Sequence, residues 1–215
     1  MKPINWIGFI LCGTLCIASC NNKNENSGKN APVTTTPVDS SVLNKADSLA
    51  NAYTPPDISP MDMSYFPVDY PKLKMAKAIN TPPLARVIYS RPHLEGRHIF
   101  HEVLKYGEPW RLGANEATEL DLYSDATILD KKIKPGRYVL YCIPQQDKWT
   151  IVLNSNIDTW GLHPDPSKDI ARFEIVPHTI GIKLEYYTMQ FEKKSDGAEL
   201  VMAWENTEAR LPFRF

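Results

Sequence analysis

From Ala85 to the end of the chain, apolar residues fall at every second position, in short runs broken by turn residues. Ala85–Ser90 (ARVIYS), Glu119–Ser124 (ELDLYS) and Lys148–Asn154 (KWTIVLN) alternate in this way. So do Ala171–Val176, Leu184–Phe191, Glu199–Glu205 and Arg210–Phe215. A period of two is the mark of a strand with one face covered. Arg137–Ile143 (RYVLYCI) is apolar on both faces, as expected of a central strand covered on two sides. Lys134-Pro135-Gly136, Pro164-Asp165-Pro166 and Ser195-Asp196-Gly197 supply turns between runs. No long stripe of helical period interrupts them, and His98–Lys105 is expected to form one short helical turn. The pattern predicts an all-β fold, an antiparallel β-sandwich of about eight or nine strands.

The front of the chain has a different pattern. Lys2 precedes an uncharged, mostly apolar run from Trp6 to Ala18. Crossing a bilayer core of about 30 Å takes roughly 20 helical residues, so this run is short for a span and suits a signal-peptide core. Ile17-Ala18-Ser19-Cys20 resembles the lipobox of bacterial lipoproteins. That resemblance implies a signal peptide over residues 1–19, acylation of Cys20, and a membrane partner held through that lipid. The expected location is a bacterial membrane, the outer one above all, with the protein facing the periplasm or the surface. Residues 20–60 are rich in Asn, Thr, Ser, Pro and Lys, and read as a disordered, flexible polar tether. Ser41–Ala52 (SVLNKADSLANA) has the pattern of one weak amphipathic helix too short to stand alone, and Tyr65–Pro71 (YFPVDYP) reads as extended. The sandwich domain is placed at residues 61–215. With Cys12 and Cys16 in the signal peptide and Cys20 acylated, Cys142 has no partner and reads as a small buried hydrophobe.

Composition excludes more than it selects. The formal net charge is −1 and no run of like charge appears, so no nucleic-acid partner is expected. There is no Gly-x-Ser-x-Gly elbow, Walker loop or dinucleotide fingerprint, so no cofactor is expected and no catalytic signature is recognised. Unusual residues concentrate in two stretches, Tyr89–Phe100 (YSRPHLEGRHIF) and Tyr106–Leu120 (YGEPWRLGANEATEL). Arg91, Arg97 and Arg111 offer planar forks suited to carboxylate or phosphate, with Asn115 and Glu116 close by. Trp110 is a flat apolar platform for a ring. This set points to a pocket for a small anion or glycan. The same residues also suit an elaborate turn: Trp110 as a core plug, Gly113 at positive φ, Arg111 paired with Glu116, and Asn115 capping backbone. Glu116 is the candidate acid or base for a hydrolase of envelope glycans or esters. His93, His98 and His101 are candidate metal ligands, but their spacing matches no recognised ligand signature.

SRPHLEGRHIF (Ser90–Phe100), YGEPWRLGANEAT (Tyr106–Thr118), KPGRYVLYCIP (Lys134–Pro144), WTIVLN (Trp149–Asn154) and the Trp160-Gly161 pair resemble the motifs of one family, domain of unknown function 2911. The resemblance implies a shared fold over most of the folded domain and a secreted or lipid-anchored protein. It brings no reaction with it. It places Ser90, Arg91, Gly96, Arg97, Trp110, Arg111, Gly113, Asn115, Glu116 and Thr118 in the family's motifs, and leaves His93, His98 and His101 outside them. The family pattern has a tyrosine before its Asp-Pro-Ser-Lys-Asp-like run, where this chain has Leu162-His163-Pro164. Three functions follow as expectations: a ligand-binding module, a structural or assembly lipoprotein, and a hydrolase using Glu116.

Overall fold

The computed structural model describes residues 57–215. The signal peptide, Cys20, the helix expected at Ser41–Ala52 and nearly all of the tether lie outside the described residues. Ten strands form two antiparallel sheets: β1 Met61–Phe66, β2 Ala85–Ser90, β3 Thr118–Leu122, β4 Ala126–Ile128, β5 Lys131–Ile133, β6 Gly136–Pro144, β7 Trp149–Asn154, β8 Asp169–Ile175, β9 His178–Lys194 and β10 Gly197–Arg214. One sheet has the order β1-β2-β3-β6-β7-β8 and the other β5-β4-β10-β9. One short α-helix, α1 (Tyr70–Met75), follows β1 with Pro71 in its first turn, where a missing N–H costs no hydrogen bond. Tyr65–Pro71 is thus divided between the end of β1 and the start of this helix.

Alternation decides what each sheet hides. Val87 and Tyr89, Leu120 and Leu122, Leu140 and Cys142, Ile151 and Leu153, and Phe173 fill the inner side of the larger sheet. Tyr187, Met189, Phe191, Leu200, Met202, Trp204, Leu211 and Phe213 meet them from the smaller one. Strand β6 lies inside the six-stranded order, and its outward Val139 and Tyr141 are buried as well. The connection after β7 turns back across that outer side. Asn154 Nδ2 donates to Asp165 O at 2.8 Å, Tyr141 Oη donates to Asp169 Oδ1 at 3.0 Å, and Ala117 N–H donates to Thr159 O at 3.2 Å.

Strand β10 is continuous in extended structure yet reverses direction. Gly197 lies against Phe213, so close that a Cβ there would sit 2.0 Å from Phe213 O. An 18-residue strand spans on the order of 60 Å when straight, so that contact requires it to double back. The register against β9 shifts on both sides of Glu205, whose φ is 53°. The runs Glu199–Glu205 and Arg210–Phe215 are therefore two arms of one folded strand. His98–Lys105 is not a helix. Ile99–Val103 forms one wide turn closed by Leu104 N–H on Ile99 O at 2.6 Å, with His101 at φ 110°.

Candidate functional site

The segment from Tyr106 to Thr118 enters the fold as a one-residue strand. Trp110 N–H donates to Cys142 O and Cys142 N–H donates to Trp110 O, each at 2.7 Å, which seats Trp110 at the end of β6. Its indole is buried: it meets Trp149 edge-on at 6.0 Å, approaches Tyr187 at 4.9 Å and stacks at 24° on Trp204 at 6.1 Å. The indole N–H reaches Gly113 O at 3.3 Å. Trp110 is thus a core plug whose outer rim remains in contact with a hollow. Cys142 beside it is fully buried, and desolvation pushes its thiol well above the usual range, which leaves it inert as a nucleophile.

Beyond Trp110 the chain makes a tight double reversal. The positive φ values belong to Leu112 (55°) and Asn115 (56°), and Gly113 is not among the positive-φ residues as the sequence suggested. Gly113 is required for another reason: a Cβ there would meet Ser90 O at 2.9 Å. Thr118 Oγ1 donates to Leu112 O at 2.7 Å and locks the loop from its far side.

This geometry leaves a hollow of about 370 Å³ at the end of the sandwich, lined by Arg97, Val103, Trp110, Arg111, Leu162 and Trp204 among others. Arg97 donates to Leu94 O at 2.8 Å and to His93 O at 3.0 Å, with Glu95 3.8 Å away. Arg111 donates to Trp160 O at 3.2 Å, and its guanidinium carbon lies 5.7 Å from the Trp160 ring centroid. No carboxylate among the described residues reaches Arg111 within salt-bridge distance, so the ion pair with Glu116 does not form. Burial lowers its pKa from the usual guanidinium value, but a guanidinium stays charged at any ordinary pH.

The other candidates lie elsewhere. Arg91 donates to Tyr187 O at 3.1 Å and Thr188 Oγ1 at 3.0 Å, and pairs with Asp62 at 3.2 Å. It staples β1 to β9 across the two sheets. Asn115 Nδ2 donates to Asp57 Oδ2 at 2.8 Å and ties down the incoming chain. Glu116 lines a separate polar cleft of about 340 Å³ with Glu119, Arg137, Asp158, Thr159 and Trp160. There Arg137 holds Glu119 through two hydrogen bonds of 2.6 and 2.7 Å and Asp158 at 2.9 Å. Arg97, Trp110 and Arg111 therefore converge; Arg91, Asn115 and Glu116 do not.

The three histidines also part company. His93 stacks on Tyr186 with centroids 5.2 Å apart, His98 Nδ1 sits 2.7 Å from Glu205 Oε1, and His101 is exposed on the wide turn. No group of three His, Cys, Asp or Glu side chains that could hold a metal ion occurs among the described residues.

Two wall residues, Leu162 and Trp204, were not among the sequence candidates. Trp204 arrives from β10, far along the chain, and nothing local marks it. Leu162 follows the Trp160-Gly161 pair. Gly161 adopts φ 78° with its Cα packed on Ala117, and this seats the loop beside Arg111. Leu162 is 55% exposed, so the hollow has an apolar lip open to solvent.

No curated protein and no solved structure matches the chain. A family model does, over residues 71–213, about two thirds of the sequence and all but the first strand of the sandwich. The chain belongs to the family described as Protein of unknown function (DUF2911).

Proposed function

We propose that the protein is a lipid-anchored envelope domain that binds a small anionic or acidic glycan ligand in the hollow beside Arg111. One observation carries the reading: a half-buried guanidinium with no carboxylate partner among the described residues stands at the edge of a concave, partly apolar space. Burying a cation without a counter-charge is costly, and an incoming carboxylate, sulfate or phosphate offsets that cost. Arg97 adds a second positive charge on the same wall, and Trp110, Trp204 and Leu162 supply apolar contact for the rest of the molecule. A few convergent polar groups in an apolar concavity are the usual form of a ligand site. The anchor rests on the sequence alone, on the Trp6–Ala18 run ending in Cys20.

The test is thermal unfolding of the purified protein against small carboxylates, phosphates and acidic saccharides. A ligand at about 100 times its Kd contributes roughly 2.7 kcal/mol, which in a domain of this size raises Tm by roughly 5–10 °C. Arg111→Met should abolish that rise. A panel that leaves Tm unmoved, or a rise that survives Arg111→Met, contradicts the reading.

An assembly role is the second reading, favoured by Ile58, Met61 and Met63, which are exposed at 72%, 59% and 50% on and just before β1. It predicts that replacing Met61 and Met63 with Ser abolishes association with a protein partner and leaves ligand protection intact. Hydrolysis through Glu116 has less support, because both other carboxylates of its cleft are already bound by Arg137.

A further inference from the structure

A second hollow, of about 180 Å³, lies on the other side of the Ile99–Val103 turn, where Phe100, Tyr106, Gln145, Gln146, Trp149 and Thr207 are among its lining residues. Its chemistry differs from that of the Arg111 hollow. Phe100 and Tyr106 stack with centroids 4.6 Å apart and planes at 13°, and Phe100 meets Trp149 edge-on at 6.2 Å. The Trp149 indole N–H is buried and has no hydrogen-bond partner among the described residues. That N–H lies in the core behind the wall, and another part of the Trp149 ring borders the hollow. The one basic side chain on the wall, His178, is engaged by Glu208, with Nε2 and Oε1 2.9 Å apart. Gln145 and Gln146 sit exposed on the hairpin between β6 and β7, and Thr179 and Thr207 face them from the smaller sheet.

We infer that this hollow is a binding site for a neutral sugar ring. The wall carries amides and hydroxyls that both donate and accept, which is the pattern a ring of hydroxyl groups requires. It presents no unpaired charge to select an ion. The stacked Phe100–Tyr106 pair gives the flat apolar surface that the C–H face of a pyranose covers, and Tyr and Trp are suited to such half-polar contacts. The volume is below the ~300 Å³ of a drug-sized pocket, so it takes one ring of a saccharide and leaves the next ring in solvent.

The experiment is a titration of the ¹⁵N-labelled protein with cellobiose, maltose and N,N′-diacetylchitobiose, following the Trp149 indole N–H resonance. At least one disaccharide should shift that resonance saturably. The double variant Gln145→Ala/Gln146→Ala, altered only on an exposed hairpin and checked for an unchanged Tm, should bind about tenfold more weakly. Arg111→Met should leave the titration unaltered, because it touches only the other hollow. No shift with any of the three sugars, equal affinity in the double variant, or loss of the shift in Arg111→Met each overturns the assignment.

Discussion

Arg111 is the residue on which the functional account turns, and its energetics make a stability prediction of their own. A guanidinium that is partly desolvated and has no acidic partner among the described residues contributes little to folding, because its charge is only partly compensated. Its hydrogen bond to Trp160 O and its approach to the Trp160 ring offset some of that cost. Arg111→Met should therefore change unfolding free energy by no more than about 0.5 kcal/mol while removing anion binding. Chemical denaturation of the free protein checks the first half. Arg111→Lys should recover only part of the affinity, since an ammonium lacks the planar fork.

Glu205 makes the pH prediction. Burial opposes ionisation of its carboxyl, but His98 at 2.7 Å, the Ile99 N–H at 3.1 Å and Lys183 at 3.7 Å outweigh it and hold the pKa below the usual value. A folded pKa depressed in this way stabilises the protein fully above the unfolded value, about 4.3. The contribution is then lost as pH falls through the lower, folded pKa. Glu205→Gln should cost about 1–3 kcal/mol at neutral pH and flatten the loss of stability as the pH falls below the unfolded value of about 4.3. Urea titrations at several pH values measure both, and a variant with undiminished acid sensitivity would remove Glu205 from the account.

At the scale of elements, two glycines are fixed by close backbone approach. Gly113→Ala brings a Cβ against Ser90 O and should destabilise by about 1–3 kcal/mol, with the loop at Arg111 displaced as a result. Gly197→Ala meets Phe213 O far more closely and should cost about 3 kcal/mol or more, because neither arm of β10 can retreat without breaking the sheet. Strands of five residues or more with one wet face were legible in the sequence: Ala85–Ser90 appears unchanged as β2, and the period-two run at 148–154 as β7. Strands β4 and β5 have three residues each, too few for a period to show. Strand β1 went unread because Met61 and Met63 lie on its exposed side, which inverts the usual pattern. The turn at Ile99–Val103 carries helix-like spacing, but His101 at φ 110° breaks it.

At the scale of the whole molecule, the same contrast separates what was legible in the candidate site from what was not. The crowding of arginine and tryptophan in two neighbouring stretches located the hollow, and Arg97, Trp110 and Arg111 on its wall came from that crowding. A sequence does not distinguish a guanidinium that staples two sheets, as Arg91 does, from one that faces open space, as Arg111 does. Nor does it bring Trp204 to the same wall, because that requires the two sheets to be packed. The proposed anchor makes its own whole-molecule prediction. In bacterial cells the protein should partition with membranes and incorporate labelled fatty acid, and Cys20→Ser should release it to the soluble fraction. Membrane retention of the variant without label would contradict lipid anchoring and leave the hollow untouched.

The most direct measurement of the central claim is a calorimetric titration of the wild-type protein and Arg111→Met with the carboxylate, phosphate and acidic-sugar panel, repeated at two salt concentrations. At least one of these anions should bind the wild type saturably and one-to-one, more weakly at the higher salt, and should not bind the variant. Equal binding by both proteins, or none by either while each remains folded, would contradict that claim.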